Sequence, residues 1–169
     1  MTDGEPIDWG AGVPEVLDRS AYVLDVDDDF DGPDIDDRLW FPHYLPHWSS
    51  RAASVARYRI ADGCLHLAIE VDQPPWCPEF DGWLRVSAFQ TGALGGPLGS
   101  GLGQHRFPRG LVVREEQPPL ALLVPRYGLV EARVAAPDDP RTMVAMWMIG
   151  YEDEPAHFGR DLPVRDLRP

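Results

Sequence analysis

The sequence predicts an all-β protein built as an antiparallel sandwich of two sheets. Sixteen glycines and eighteen prolines in 169 residues punctuate the chain too often for long helices. Along residues 127–134, Leu129, Glu131 and Arg133 alternate with Val130, Ala132 and Val134, the period of two that sends neighbours to opposite faces of a strand. Residues 143–150 are nearly all apolar. A strand apolar on both faces needs cover on both, which places it inside a sheet with a second layer stacked over it. Between these two runs, Ala136, Pro137, Asp138, Asp139 and Pro140 have turn chemistry, so the pair reads as consecutive antiparallel strands.

Taken in order, residues 1–20 form an acidic leader with little to bury. A strand is expected at residues 22–26, followed by the acidic turn of Asp28, Asp29, Phe30, Asp31, Gly32 and Pro33 and then Leu39 and Trp40. Asp27, Asp29, Asp31 and Gly32 match positions 1, 3, 5 and 6 of a calcium-binding EF-hand loop. Position 12, however, is Arg38, and Pro33 interrupts the loop, so a solvated acidic turn is expected and no metal ligand is assigned. His43 and His47 have the spacing of two ligands on one helical face, but Pro42 and Pro46 oppose a helix, which leaves two loop histidines beside aromatic residues.

Residues 54–60 and 64–71 form a hairpin about Ala61, Asp62 and Gly63, with Leu65, Leu67, Ile69 and Val71 on its core face and His66 and Glu70 on the other. Residues 83–90 alternate as a further strand. The glycine-rich stretch 92–103 lacks the G-x-G-x-x-G spacing, and a chain with no lysine cannot supply a Walker lysine, so a flexible loop is expected there in place of a phosphate cradle. Short strands follow at residues 110–115 and 120–124. No G-x-S-x-G elbow occurs.

Charge narrows the partners. Residues 1–40 hold thirteen Asp or Glu against Arg19 and Arg38, a net of −11 out of −13 for the chain. Such a surface repels phosphates, so neither nucleic acid nor an anionic membrane is an expected partner. The start of the chain is acidic without an apolar core, and no run of about 18 apolar residues follows, so a cytoplasmic protein is expected. In that reducing compartment Cys64 and Cys77 are two thiols.

The wording Tyr127-Gly128, then Glu131-Ala132-Arg133, then a proline-bearing turn, then Ala145-Met146-Trp147-Met148-Ile149-Gly150 resembles the family 16 glycoside hydrolases. The Asp-Phe-Asp-Gly turn with Trp40 shortly after it is similar to the opening of the same domain. The resemblance implies a jelly roll similar to concanavalin A, a polysaccharide or oligosaccharide partner and no cofactor. It also implies that Trp147 lines the sugar cleft, where an aromatic face stacks on a pyranose ring; core packing is the other reading of this residue. Tyr127, Gly128, Glu131 and Arg133 are read as structural, the last two sharing a face where they could pair.

The family's next strand carries the catalytic run Glu-x-Asp-x-x-Glu, which supplies two carboxyls about 5 to 5.5 Å apart in a retaining enzyme. That run does not occur in this sequence. Glu152 and Glu154 lie in a loop-like stretch and are not read as the pair, so no catalytic residue is assigned. Back-translated with permitted codons and read one base later, residues 160–169 spell Glu-Ile-Cys-Arg-Phe-Glu-Ile-Phe-Gly, with glutamates five apart as in the motif. The expectation is a sandwich incomplete at its C-terminal end: residues 21–159 as a partial family 16-like domain, 160–169 as an atypical tail of frameshift origin, and no hydrolysis by this chain. Two functions follow, a glycosidase-like domain acting on O-glycosidic bonds of a β-glucan-type polysaccharide, and a lectin-like carbohydrate-binding module.

Overall fold

A computed structural model describes residues 19–151 of the chain. The leader to residue 18, Glu152, Glu154 and the tail 160–169 lie outside them. Where the sequence alternates most regularly, a hairpin forms: β1 (Arg57–Ala61) pairs antiparallel with β2 (Cys64–Ala68), in a register running from Arg57 opposite Ala68 to Ala61 opposite Cys64. Asp62 and Gly63 connect them at φ of 55° and 64°. A two-residue connection of this kind needs positive φ at both positions, and Asp-Gly is among the pairs that meet it at least cost.

The hairpin's faces differ from the expected ones. Leu67 is 47% exposed and Val71 92% exposed. β2 ends at Ala68, so Ile69 and Val71 lie beyond the ladder. The neighbouring segment docks through Ser87 onto the hairpin's open end, donating its hydroxyl to the Ala68 carbonyl and accepting from the Arg57 amide at 3.1 Å. Leu65 and Leu67 share a face with their cross-strand partners Ile60 and Tyr58, and Phe89 packs on Tyr58, so the leucine side is partly covered.

The core gathers elsewhere. Leu45, Trp48, Trp76, Cys77, Leu111 and Val113 are buried together, with Tyr44, Phe80, Val86 and Phe107 against them. Trp48 belongs to a single 3₁₀ turn (Pro46–Trp48), which is followed by α1 (Arg51–Ser54), capped where the Ser50 hydroxyl accepts from the Ala53 amide at 3.1 Å. Trp76 precedes α2 (Pro78–Asp81) and donates its indole N–H to Asp81 at 2.8 Å. Ser49 donates to the Trp76 carbonyl, and the Cys77 thiol to that of Trp48, tying the two tryptophan segments together. Cys64 and Cys77 are both free thiols.

Leu111 and Val113 keep the alternation predicted for residues 110–115, buried in turn with exposed Val112 and Arg114. They pair with the glycine-rich stretch: the Val113 amide donates to the Ser100 carbonyl at 2.7 Å, and the Gly99 amide to the Val113 carbonyl at 2.8 Å. That stretch is therefore a packed loop, a correction to the flexible link expected. A Cβ on Gly103 would stand 2.6 Å from His47 and 2.8 Å from Trp48, and one on Gly95 2.7 Å from His47. Glycine is required there because two backbones close on the core's rings.

Two further residue pairs make β3 (Gly92–Ala93) and β4 (Leu120–Ala121), antiparallel, and single bridges join Phe41 to Gln90, His43 to Val55 and Gly95 to Gly103. Regular structure among the described residues is mainly short antiparallel β, with helix confined to single turns. None of these helices is long and apolar enough to cross a membrane.

Five expected strands do not form ladders; of these, residues 110–115 are bonded to the glycine-rich loop without becoming a strand. Residues 22–26 are exposed coil, and 83–90 are extended with one bridge at Gln90. Residues 127–134 and 143–149 carry no strand, and the second run lies open, Met143 at 75% and Met148 at 71% exposure. This corrects the reading of an inner strand: burial of both faces needs paired neighbours and a covering layer, and the described residues supply neither. The turn between them does form, closed by the Thr142 amide on the Asp139 carbonyl at 2.9 Å and by Arg141 on the Asp139 carboxylate.

Candidate functional site

The acidic turn folds on itself before it meets anything else. Asp28 accepts the Phe30 amide at 3.0 Å on one oxygen and the Trp40 indole N–H at 2.6 Å on the other. This holds Trp40 beside Phe30, ring centroids 6.1 Å apart, and Trp40 in turn lies 6.0 Å from Phe89, which meets Tyr58 edge-on at 4.9 Å. A continuous run of rings thus links the turn to β1.

Tyr58 ends that run with a hydrogen bond. Its hydroxyl donates to Asp34 Oδ1 at 2.7 Å, and the Ile35 amide donates to the same oxygen at 2.8 Å. Those two bonds hold the Asp34 carboxyl below its ordinary range. The bond to Asp34, helped by burial, pushes the Tyr58 phenol up to about 12. At neutral pH Asp34 is a carboxylate and Tyr58 a donor.

Phe41 is fixed by a reciprocal backbone pair with Gln90, at 2.7 and 2.9 Å. The guanidinium of Arg51 lies 5.1 Å from the centre of its ring. Arg51 Nε donates to Gln117 Oε1 at 2.8 Å, and Gln117 is itself buried, giving its amide hydrogens to Glu115. A neutral amide therefore holds this cation in place.

These residues surround an open cleft of about 500 Å³, lined by Asp34, Asp37, Trp40, Phe41, Arg51 and Tyr58 together with Leu120 of β4 and Leu122. Flat apolar rings, acceptor-only carboxylates and a multivalent donor are together the chemistry that a polyhydroxylated ring needs, stacking for its C–H face and hydrogen bonds for its hydroxyls. A second concavity, about 410 Å³, is bounded by Asp25, Asp27, Asp36 and Arg38. There Arg38 is already engaged by Asp36, whose carboxyl it holds down at about 2.

Trp147, the expected sugar-stacking residue, is 58% exposed and meets the edge of His105 at 5.4 Å. It is not among the residues lining the larger cleft. Its side chain is therefore not part of the described core. Among the described residues no three His, Cys, Asp or Glu side chains converge to hold a metal, so Asp27, Asp29 and Asp31 do not form a calcium cage; Asp31 leans towards Gly63 on the hairpin turn. His43 meets the Arg51 carbonyl at 3.1 Å, while His47 is a sealed core residue, not a loop one. His66 contacts the Ala61 carbonyl and Arg59. Glu131 pairs with Arg19, 112 residues away in sequence. The cleft around Asp34, Arg51 and Tyr58 is new to the structure. Its members come from the acidic turn, α1 and β1, and no local spacing marks that convergence.

No family model matches the chain, and no curated protein matches it. Among solved structures the chain is similar to a GlcNAcα1-4Gal releasing endo-β-galactosidase from Clostridium perfringens, with a TM-score of 0.55 and 32% sequence identity over 68% of this chain. The chain spans 27% of that enzyme's length. The likeness is to part of a glycoside hydrolase, and it supports a glycosidase-like fold.

Proposed function

We propose that this chain is the sugar-binding part of a family 16-like jelly-roll domain directed at O-glycosidic bonds of a β-linked polysaccharide, and that alone it binds without cleaving. The observation that carries the reading is the open cleft of Trp40, Phe41 and Tyr58 with Asp34 and Arg51, in a chain similar to an endo-β-galactosidase. Trp147 supplies a second stacking face, its ring exposed beside His105. A retaining hydrolase also needs two carboxyls about 5 to 5.5 Å apart, one to attack the sugar carbon and one to protonate the leaving oxygen. The Glu-x-Asp-x-x-Glu run that would present them is missing from the sequence. The same absence favours the lectin-like reading of this chain by itself.

The test is a titration of the protein with β-linked gluco- and galacto-oligosaccharides, followed by a reducing-end assay on the same mixtures. Saturable binding to one series with no new reducing ends is expected. Hydrolysis of either series overturns the claim of inactivity, and no binding to any member of either overturns the carbohydrate reading.

A further inference from the structure

We propose that the cleft beside Trp40 and Phe41 selects neutral over anionic glycans, with Asp34 as its fixed acceptor and Arg51 as its fixed donor. The proposal rests on the carbohydrate reading above and adds to it the charge class of the ligand and the groups that read its hydroxyls.

The acceptor is half used. Both donors to Asp34, the Tyr58 hydroxyl and the Ile35 amide, take Oδ1, and Oδ2 meets no partner among the described residues. A carboxylate pinned through one oxygen presents the other in a fixed direction, so a sugar hydroxyl can donate to it without the cost of ordering the side chain. The donor is arranged the same way. Arg51 spends Nε on Gln117, rests its guanidinium over Phe41, and keeps its terminal nitrogens without a partner among the described residues. Other arginines of the described surface are differently placed: Arg38, Arg57, Arg114 and Arg141 each spend a terminal nitrogen on a carboxylate.

Charge decides the class of ligand. Asp34 and Asp37 both line the cleft against the single guanidinium of Arg51, and Glu115 stands on the Arg51 amide at 3.2 Å. A uronate or sulfate would bring a further negative charge to that exposed wall, where like charges oppose binding most at low ionic strength. A neutral ring meets acceptors, a donor and the partly exposed rings of Trp40 and Tyr58 with no such penalty.

The experiment compares a neutral β-linked galacto-oligosaccharide with an oligogalacturonate of equal length, titrated calorimetrically into the unmodified protein and into Asp34→Asn, Arg51→Gln and Trp147→Ala. The neutral sugar is expected to bind at least about tenfold tighter than the uronate, and Asp34→Asn and Arg51→Gln to weaken neutral binding by about tenfold each, the loss of one hydrogen bond to a charged group. Asp34→Asn should also narrow the preference by improving uronate binding. Equal or tighter binding of the uronate by the unmodified protein overturns the proposal without reliance on any variant. If Trp147→Ala abolishes binding while the two cleft variants, with unchanged circular dichroism, leave it intact, the sugar sits at Trp147; the cleft assignment falls and the carbohydrate reading stands. If neither glycan binds, the carbohydrate reading fails and takes the proposal with it.

Discussion

Fully buried beside Trp48, His47 offers its Nε2 to the Gln104 carbonyl at 3.2 Å, and that carbonyl also accepts the Trp48 indole N–H at 2.8 Å. Its Nδ1 is buried without a partner. Burial lowers its pKa from 6.5 to about 4, so the imidazole is neutral in the fold. The unfolded chain binds a proton there below pH 6.5 and the native chain does not until about pH 4. Stability is therefore complete above pH 6.5 and declines as pH falls through that window, by on the order of 3 kcal/mol over its whole width. His43, also lowered by burial, acts in the same direction. The carboxylates act lower: Asp36, held at about 2 by Arg38, loses its contribution only as pH falls below 3.8. Melting temperatures measured between pH 7 and 4.5 should fall steadily, and His47→Gln should flatten that slope; a slope unchanged in the variant would assign the effect to other groups.

Among elements, the glycine-rich loop carries the sharpest structural consequence. Gly103→Ala would drive a methyl to 2.6 Å from the His47 ring, between two backbones that are already hydrogen-bonded. Overpacking of this kind costs about 1 to 3 kcal/mol, and Gly95→Ala should behave alike for the same ring. Chemical denaturation of the two variants checks it, and a cost below a few tenths of a kcal/mol would mean that the loop yields. The hairpin β1–β2 was legible from alternation and from Asp62-Gly63, since both are local. How far each face is buried was not, because that depends on where Ser87 and Phe89 dock, contacts between distant segments. The glycines were visible as a run, but their purpose was not, since it lies in the rings of His47 and Trp48, far away in sequence. The same limit applies to the cleft. Trp40 stood out beside the acidic turn, whereas the Tyr58–Asp34 bond spans 24 residues and leaves no mark in spacing. Trp147 was picked out by wording alone, and its ring lies exposed beside His105.

Over the whole length of the described residues, exposed apolar side chains recur from Tyr22 onward and are most numerous over residues 127–149. Acidic residues crowd the first forty positions, and Tyr127, Val134, Met143, Val144, Met146, Trp147 and Met148 all stand open towards the other end of the chain. Large exposed apolar areas bind partners or one another, and unpaired β-prone runs are templates for further pairing. A hydrophobic dye should therefore bind the native protein, and a double variant, Met146→Lys with Met148→Lys, should reduce that binding and raise the concentration at which scattering begins, with the melting temperature unchanged. Dye binding indifferent to the double variant would place the open surface elsewhere.

The tryptophans have an optical consequence. Trp48 and Trp76 are sealed among apolar neighbours, while Trp83 and Trp147 face water. Indoles in these two settings emit at different wavelengths and differ in access to a dissolved quencher. Emission from the blue side of the spectrum reports the packing of the core, and emission from the red side reports events at the surface. One unlabelled sample can thus distinguish a ligand settling on the exterior from a disturbance of the interior.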